Sequence, residues 1–197
     1  MKLQERLPDT VRIGRKSYRL NLDFRNVLQF LDTLEREDLI QNARDYLALK
    51  CVMKRPPRGT EKAMEAVKAL LFPGVKKGQK RPKITDYEQD ADAIRAAFLQ
   101  AYNINLYRDR LHWFEFCGLL SCLPEGTRYS EILSIRARPM PTPTKWNAEE
   151  RKWLAQAKAE LAVKLNDRER ETSLADGLRG VALSLLSLAE QGGGSHA

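Results

Sequence analysis

The sequence predicts a mostly α-helical single domain of about six or seven helices, with a small N-terminal β-hairpin and a C-terminal helical extension. Three observations predict it. Apolar residues recur at three- and four-residue spacing along most of the chain. Pro and Gly clusters cut those stripes into helix-length pieces. Residues 10–22 alone combine two short β-type runs with a glycine turn. At 197 residues with 43% hydrophobic side chains, the chain can bury a core without staples and is neither disordered nor collagen-like.

Val11 to Ile13 and Tyr18 to Leu22, around Gly14-Arg15-Lys16, predict the hairpin. Asp23 is an N-cap for a first helix with its stripe at Phe24, Val27, Leu28, Leu31 and Leu34, and a second follows on Leu39, Ile40, Ala43, Leu47 and Cys51. The segment Lys54 to Gly59 breaks the chain before a third helix from Glu61 to Phe72, which Pro73-Gly74 ends. Thr85-Asp86-Tyr87-Glu88 has the spacing of a capping box, ahead of the stripe Ile94, Ala97, Phe98, Ala101 and Tyr102.

The next helix, from about Asp109 to Leu123, is apolar on nearly all sides and predicts the centre of the core, with Trp113 against Ile94, Phe98 and Tyr102. Pro124-Glu125-Gly126 closes it, and a short helix covers Ser130 to Arg136. Prolines 139, 141 and 143 then predict an extended connector, before helices at 147–165 and 173–190. The organisation read from this is a hairpin and helical core (1–138), a connector (139–146), a helix (147–165) and an extension with a glycine-rich tail (166–197).

Lys+Arg 34 against Asp+Glu 26 give a net charge of +8. The excess is local: residues 61–83 hold 7 basic and 2 acidic side chains, whereas 139–197 hold 8 of each. It is densest in the loop of Lys76, Lys77, Lys80, Arg81 and Lys83, interleaved with Gly74, Gly78 and Pro82. Such a loop with Tyr87 just beyond it could neutralise phosphates and stack a base, which makes nucleic-acid binding a runner-up function; the other reading is a solvated loop. The first residues lack an apolar leader core, and the run Val181 to Ala189 is too short to span a bilayer, so a cytosolic protein without membrane contact is expected. Cys51, Cys117 and Cys122, an odd number in apolar surroundings, are read as reduced thiols.

No catalytic, metal or cofactor site can be completed from the motifs. Asp86, Glu88, Asp90 and Asp92 alternate like a calcium loop, but Ala91 stands where the loop needs Gly and Ala97 where it needs Glu. Gly74 and Gly78 are followed by Gln79, without the Lys-Ser/Thr of a P-loop. His112 with Glu115 three residues on has the elements of a proton-transfer pair, yet nothing else joins them, and a structural, hydrogen-bonded histidine is the expected role. In the last helix Leu174, Leu178, Val181, Leu185 and Leu188 follow the 4,3,4,3 spacing of a coiled-coil seam, a candidate surface for a partner or for self-association. Gly177 and Gly180 each weaken that helix by about 1 kcal/mol relative to alanine, so it needs something to pack on.

Residues 85–138 read TDYEQDADAIRAAFLQAYNINLYRDRLHWFEFCGLLSCLPEGTRYSEILSIRAR. This stretch resembles the bacteriophage gp-fifteen family, encoded beside the tape-measure gene of phages with long, non-contractile tails. The resemblance is carried by Asp86, Tyr87, Asp90, Ile94, Ala97, Phe98, Tyr102 and Leu106, by Leu111-His112-Trp113, Phe116, Leu119, Leu120 and Leu123-Pro124, and by Glu131, Ile132 and Arg136. Asp23-Phe24-Arg25 and the helix of Glu149-Glu150-Arg151-Lys152 extend it to about residues 10–165. Asn103 and Asn105 stand where Gly and Asp are expected, Phe114 where a second Trp is common, and Cys117 where a polar residue is frequent. The resemblance implies a tail-assembly chaperone or accessory in the host cytoplasm that binds the tape-measure protein, without catalytic residues; Asp86, Tyr87, Asp90, Phe98, Tyr102, Leu111, His112 and Trp113 are then read as structural. A tail-completion component of the virion is a third possibility.

Overall fold

The structure, a computed structural model, describes residues 4–73 and 84–164. The chain divides into two units, Met1–Leu161 and Ala162–Ala197; the architecture below is that of the first. It is mostly α, with seven helices and a two-stranded hairpin among the described residues.

Strands β1 (Thr10–Ile13) and β2 (Lys16–Arg19) pair antiparallel with Ile13 opposite Lys16, which leaves Gly14-Arg15 as a two-residue turn. Gly14 takes φ 61 at the first central position, where a II′ hairpin places glycine because its twist matches the strands. Lys16 therefore belongs to the ladder and not to the turn. The second strand ends earlier than the sequence suggests: Leu20 leaves it to bridge Met53, and Leu20 and Leu22 are buried.

Helix α1 (Phe24–Glu35) starts where its cap predicts, the Asp23 carboxylate accepting from Arg25 N at 3.0 Å. Helix α2 (Gln41–Val52) corrects the sequence reading of its face. Ala48, Leu49 and Val52 are buried, whereas Ile40 is 78% and Leu47 41% exposed. Two apolar stripes lie side by side on this helix, and packing against both α1 and α3 (Thr60–Leu71) selects the second. Helix α3 ends on Leu71 with Phe72 as cap.

The predicted capping box at Thr85 is not formed. The Asp86 carboxylate instead accepts from Glu88 N (3.0 Å) and Gln89 N (2.9 Å), making a turn ahead of α4 (Ala91–Tyr102), and the Thr85 hydroxyl accepts from Tyr129 Oη at 3.3 Å. An Asp at this spacing offers the same acceptor one residue later, so the turn closes on it. Asn103 caps α4 in the left-handed region at φ 55, which accounts for glycine being expected there. Asn105 Oδ1 accepts from Tyr107 N at 3.0 Å, a turn that Asp makes equally well.

Helix α5 (Trp113–Ser121) is shorter than predicted and is not buried all round. Trp113 and Phe116 are buried, while Phe114, Cys117, Leu119 and Leu120 are half-buried. Residues 109–112 run extended because Leu111 O accepts from Phe24 N (3.0 Å) and Leu22 O accepts from Trp113 N (2.7 Å), which ties the segment to the chain entering α1. Helix α6 (Arg128–Ala137) is capped by the buried Thr127, whose hydroxyl accepts from Ser130 N. Helix α7 (Ala148–Glu160) ends before the predicted Leu165 and buries Leu154.

Helix α1 packs on α2 and α2 on α3, while α4 packs on α6 and α6 on α7; α5 touches both α1 and α4. The core joins the two groups through an aromatic cluster on Phe116. Phe24 and Phe98 stack on either side of it at ring-centroid distances of 4.7 and 5.3 Å, and Trp113 lies 5.9 Å away. Trp113 itself meets Phe72 and Tyr87, and its Nε1 donates to Leu71 O at 3.3 Å. Phe116, one helical turn further on, makes the stacked contact with Phe98 of the α4 stripe, while the ring contacts and hydrogen bond of Trp113 also reach the α3 end at Phe72 and Leu71.

Candidate functional site

The residues singled out in the sequence fall into two sets. Lys76, Lys77, Lys80, Arg81 and Lys83, and Leu174, Leu178, Val181, Leu185 and Leu188, lie outside the described residues. The signature residues are described, and most of them meet at the joint between α1, α4 and α5.

His112 is the N-cap of α5. Its Nδ1 accepts from Phe114 N (3.3 Å), which leaves Nε2 to donate to Pro8 O (3.2 Å), and Glu115 Oε2 reaches back to accept from His112 N (3.0 Å). The His112 and Glu115 pair is therefore a capping box with both ring nitrogens occupied by backbone groups. Tyr102 Oη donates to Leu119 O at 2.9 Å, fastening the end of α4 to α5.

Asp90 and Arg136 form a buried ion pair, with Nη1 to Oδ2 at 2.6 Å and Nη2 to Oδ1 at 2.8 Å. The guanidinium also donates to Ile84 O (2.9 Å) and Leu161 O (2.6 Å), and Asp90 Oδ2 accepts from Asp86 N (3.1 Å). One residue pair thus holds the turn before α4, helix α6 and the end of α7 together.

Burial raises Tyr87 to a pKa of about 12, and also raises Cys117 to about 11 and Tyr129 above its ordinary value. These groups stay neutral and pack as apolar surface. Among the described residues no group of three or more His, Cys, Asp or Glu could hold a metal ion, and no helix is long and apolar enough to cross a membrane.

The open feature of this joint is a trough of about 250 Å³ between α1 and α4. The two helices pack mainly on other partners, α1 on α2 and α4 on α6, and Phe116 of α5 lines the gap between them. Phe24, Leu28, Ile94, Leu106, Tyr87 and Phe116 give it an apolar lining. Arg25 and Arg95 stand at one end. Arg25 is held by Asp23 and by the carbonyls of Leu106 and Asp109, and Arg95 lies 4.5 Å from the Tyr107 ring and pairs with Asp92. Asp32 lies on the trough's rim, its pKa raised by partial burial and then by the charges of Glu88 and Asp86. A second hollow shares Arg95, Leu106 and Tyr107 with the first and continues to Leu99. Leu99 is 50% and Tyr107 69% exposed, and both line this second hollow.

Sequence periodicity did not single out this trough. Phe24, Leu28 and Ile94 read as core stripe, and no motif or stripe includes Asp32, Arg95 or Tyr107. The one local signal was the pair Leu99 and Tyr107, large apolar side chains outside the stripe of α4.

These features define a helical protein built around one aromatic core, with an apolar trough on its surface. The chain belongs to the Bacteriophage Gp15 protein family, whose family model matches residues 3–163. Neither the curated proteins nor the solved structures contain a match to it.

Proposed function

We propose that this phage protein is a tail-assembly chaperone or accessory that binds the tape-measure protein during tail morphogenesis in the host cytoplasm, by contact alone and without a catalytic step. The observation that carries the reading is the apolar trough between α1 and α4, continued by exposed Leu99 and Tyr107. The partner is what the resemblance over residues 85–138 implies. A long helical tape-measure chain exposes apolar faces that aggregate before the tail tube forms around them. Laying such a face into a groove of a helical protein removes it from water.

The test is co-expression of the full chain with the tape-measure protein of the same phage. Stoichiometric co-purification, with the tape-measure protein kept soluble, supports the reading. A tape-measure protein that is equally soluble and unbound with or without this chain sinks it. Co-purification with DNA or RNA instead would favour the nucleic-acid reading, and presence in mature particles by mass spectrometry would favour a tail-completion component.

A further inference from the structure

We infer that the chain pairs with a second copy of itself, the proline-rich connector of each copy lying across Trp146 and Trp153 of the other. This goes beyond the functional reading above and does not rest on it.

The first half of the contact is the connector. Pro139, Pro141 and Pro143 each fix their own φ near −65° and drive the residue before them to extended backbone. Arg138 accordingly sits at φ −60, ψ 123, and residues 138–144 are neither helix nor strand. A chain so constrained is of the polyproline type, which has no internal hydrogen bonds and docks on aromatic side chains at low entropic cost. Helix α7 stiffens it further. Asn147 Nδ2 donates to Thr142 O (2.8 Å), Asn147 Oδ1 accepts from Thr144 N (2.9 Å), and Arg151 donates to Pro141 O. Pro139 and Pro143 remain exposed, whereas the adjacent Pro56 and Pro57 are half-buried, so the connector is the proline strip on offer.

The second half is aromatic. Trp146, just ahead of α7, is 94% exposed and Trp153, on α7, is 54% exposed, and neither ring stacks on a described residue. Seven residues of helix cover about 10 Å and the four steps from Pro139 to Pro143 about 12 Å, so one connector reaches both rings. The same connector does not serve its own tryptophans, because its bonds to Asn147 and Arg151 hold it along α7 while Trp146 stays in water. Strip and rings therefore border one another on a single surface. A two-fold axis between two such surfaces lays each strip on the other copy's rings, the self-complementary arrangement of a symmetric dimer.

Charge agrees with this occupant. From residue 137 to residue 148 the only charged side chains are Arg138 and Lys145, both exposed. Glu149 and Glu150, between the two tryptophans in sequence, open α7 and are also exposed, and no described residue pairs with either. A connector crossing the rings brings its cations to these carboxylates. Four tryptophans at about 150–250 Å² each, with a similar area of connector over them, bring the pair to about the 1,200 Å² at which stable interfaces begin, so the dimer is reversible.

The test is sedimentation velocity of the full chain over a range of concentrations, which is expected to show a monomer–dimer equilibrium. Trp146→Ala with Trp153→Ala is expected to weaken the dimer at least about tenfold, since exposed tryptophans that become buried carry most of a contact. Pro139→Ala with Pro143→Ala is expected to weaken it similarly. Each variant should keep the native melting temperature when diluted below the dimer midpoint. The two variants mixed are expected to associate better than either alone, because the intact connector of one meets the intact tryptophans of the other. A peptide of residues 137–145, which has no tryptophan of its own, should compete with the dimer and shift the tryptophan fluorescence. A chain still monomeric at about 1 mM, a dimer untouched by the tryptophan variants, or a mixture no better than its components overturns the inference. A monomeric chain that nevertheless binds the peptide also overturns it, since the rings would then serve a proline-rich segment of another protein.

Discussion

Arg136 reaches across 46 residues of sequence to clamp Asp90 with two hydrogen bonds of 2.6 and 2.8 Å, and both side chains are almost wholly out of water. A buried pair of this kind is costly to break from one side, because the remaining charge is left in a low-dielectric site without a partner.

Arg136→Met is therefore expected to destabilise the protein by about 3–5 kcal/mol. Removing both charges, as Asp90→Leu with Arg136→Met, is expected to cost much less than the sum of the single changes. Urea unfolding of the four members of this cycle measures it; additive losses would show that the pair is not coupled.

The capping box of α5 is a smaller device. His112→Ala and Glu115→Ala each free a backbone donor and are expected to cost about 1 kcal/mol, a drop in melting temperature of about 2–4 °C for a chain of this size. His112→Asn retains an acceptor for Phe114 N and should lose less. Thermal unfolding followed by circular dichroism reads all three.

Trp113 fills the space between Phe72, Tyr87 and Phe116. Trp113→Ala is expected to cost about 3–5 kcal/mol, and Trp113→Phe less, since the ring contacts persist while the Nε1 hydrogen bond to Leu71 O is lost. Trp146, 94% exposed, is the internal control: Trp146→Ala should change stability by no more than about 0.5 kcal/mol. Equal losses at the two tryptophans would refute the placement of Trp113 in the core.

Stability should also fall in alkali. Burial raises Tyr87 to about 12 and lifts Tyr129 as well, against an ordinary value of 10.0. Above pH 10 the unfolded chain therefore sheds phenolic protons that the folded chain keeps. Stability is fully present below pH 10 and declines as pH rises towards 12. Urea midpoints measured across that window should drop, and Tyr87→Phe should flatten the drop. A midpoint independent of pH there would mean that the phenols are solvated.

Much of the fold was legible in the sequence because its signals are local. Asp23 caps α1, Gly14 turns the hairpin, Asn103 takes the left-handed C-cap, and the prolines at 139–143 keep helix from forming, each through groups within a few residues. Even where the predicted cap at Thr85 is not formed, and a turn closed by Asp86 leads into α4 with Asp90 at its N-cap instead, a helix entry was expected within several residues of the true one. The spacing of His112 and Glu115 was visible too, but it was read as the elements of a proton-transfer pair or as a structural histidine, and only the structure shows it to be a cap.

What the sequence by itself determined is thus the kind and order of the elements and where most of them start and stop, since backbone hydrogen bonds and caps are satisfied within the segment that carries them. Tertiary structure alone decided which of two apolar stripes of α2 is buried, which aromatic of α5 meets Phe98, that Asp90 finds Arg136, and that α1 and α4 leave a trough between them. Burial and buried ion pairing are properties of two surfaces brought together. A single stripe shows only that some partner is needed, and the partner is chosen by the packing of the whole chain.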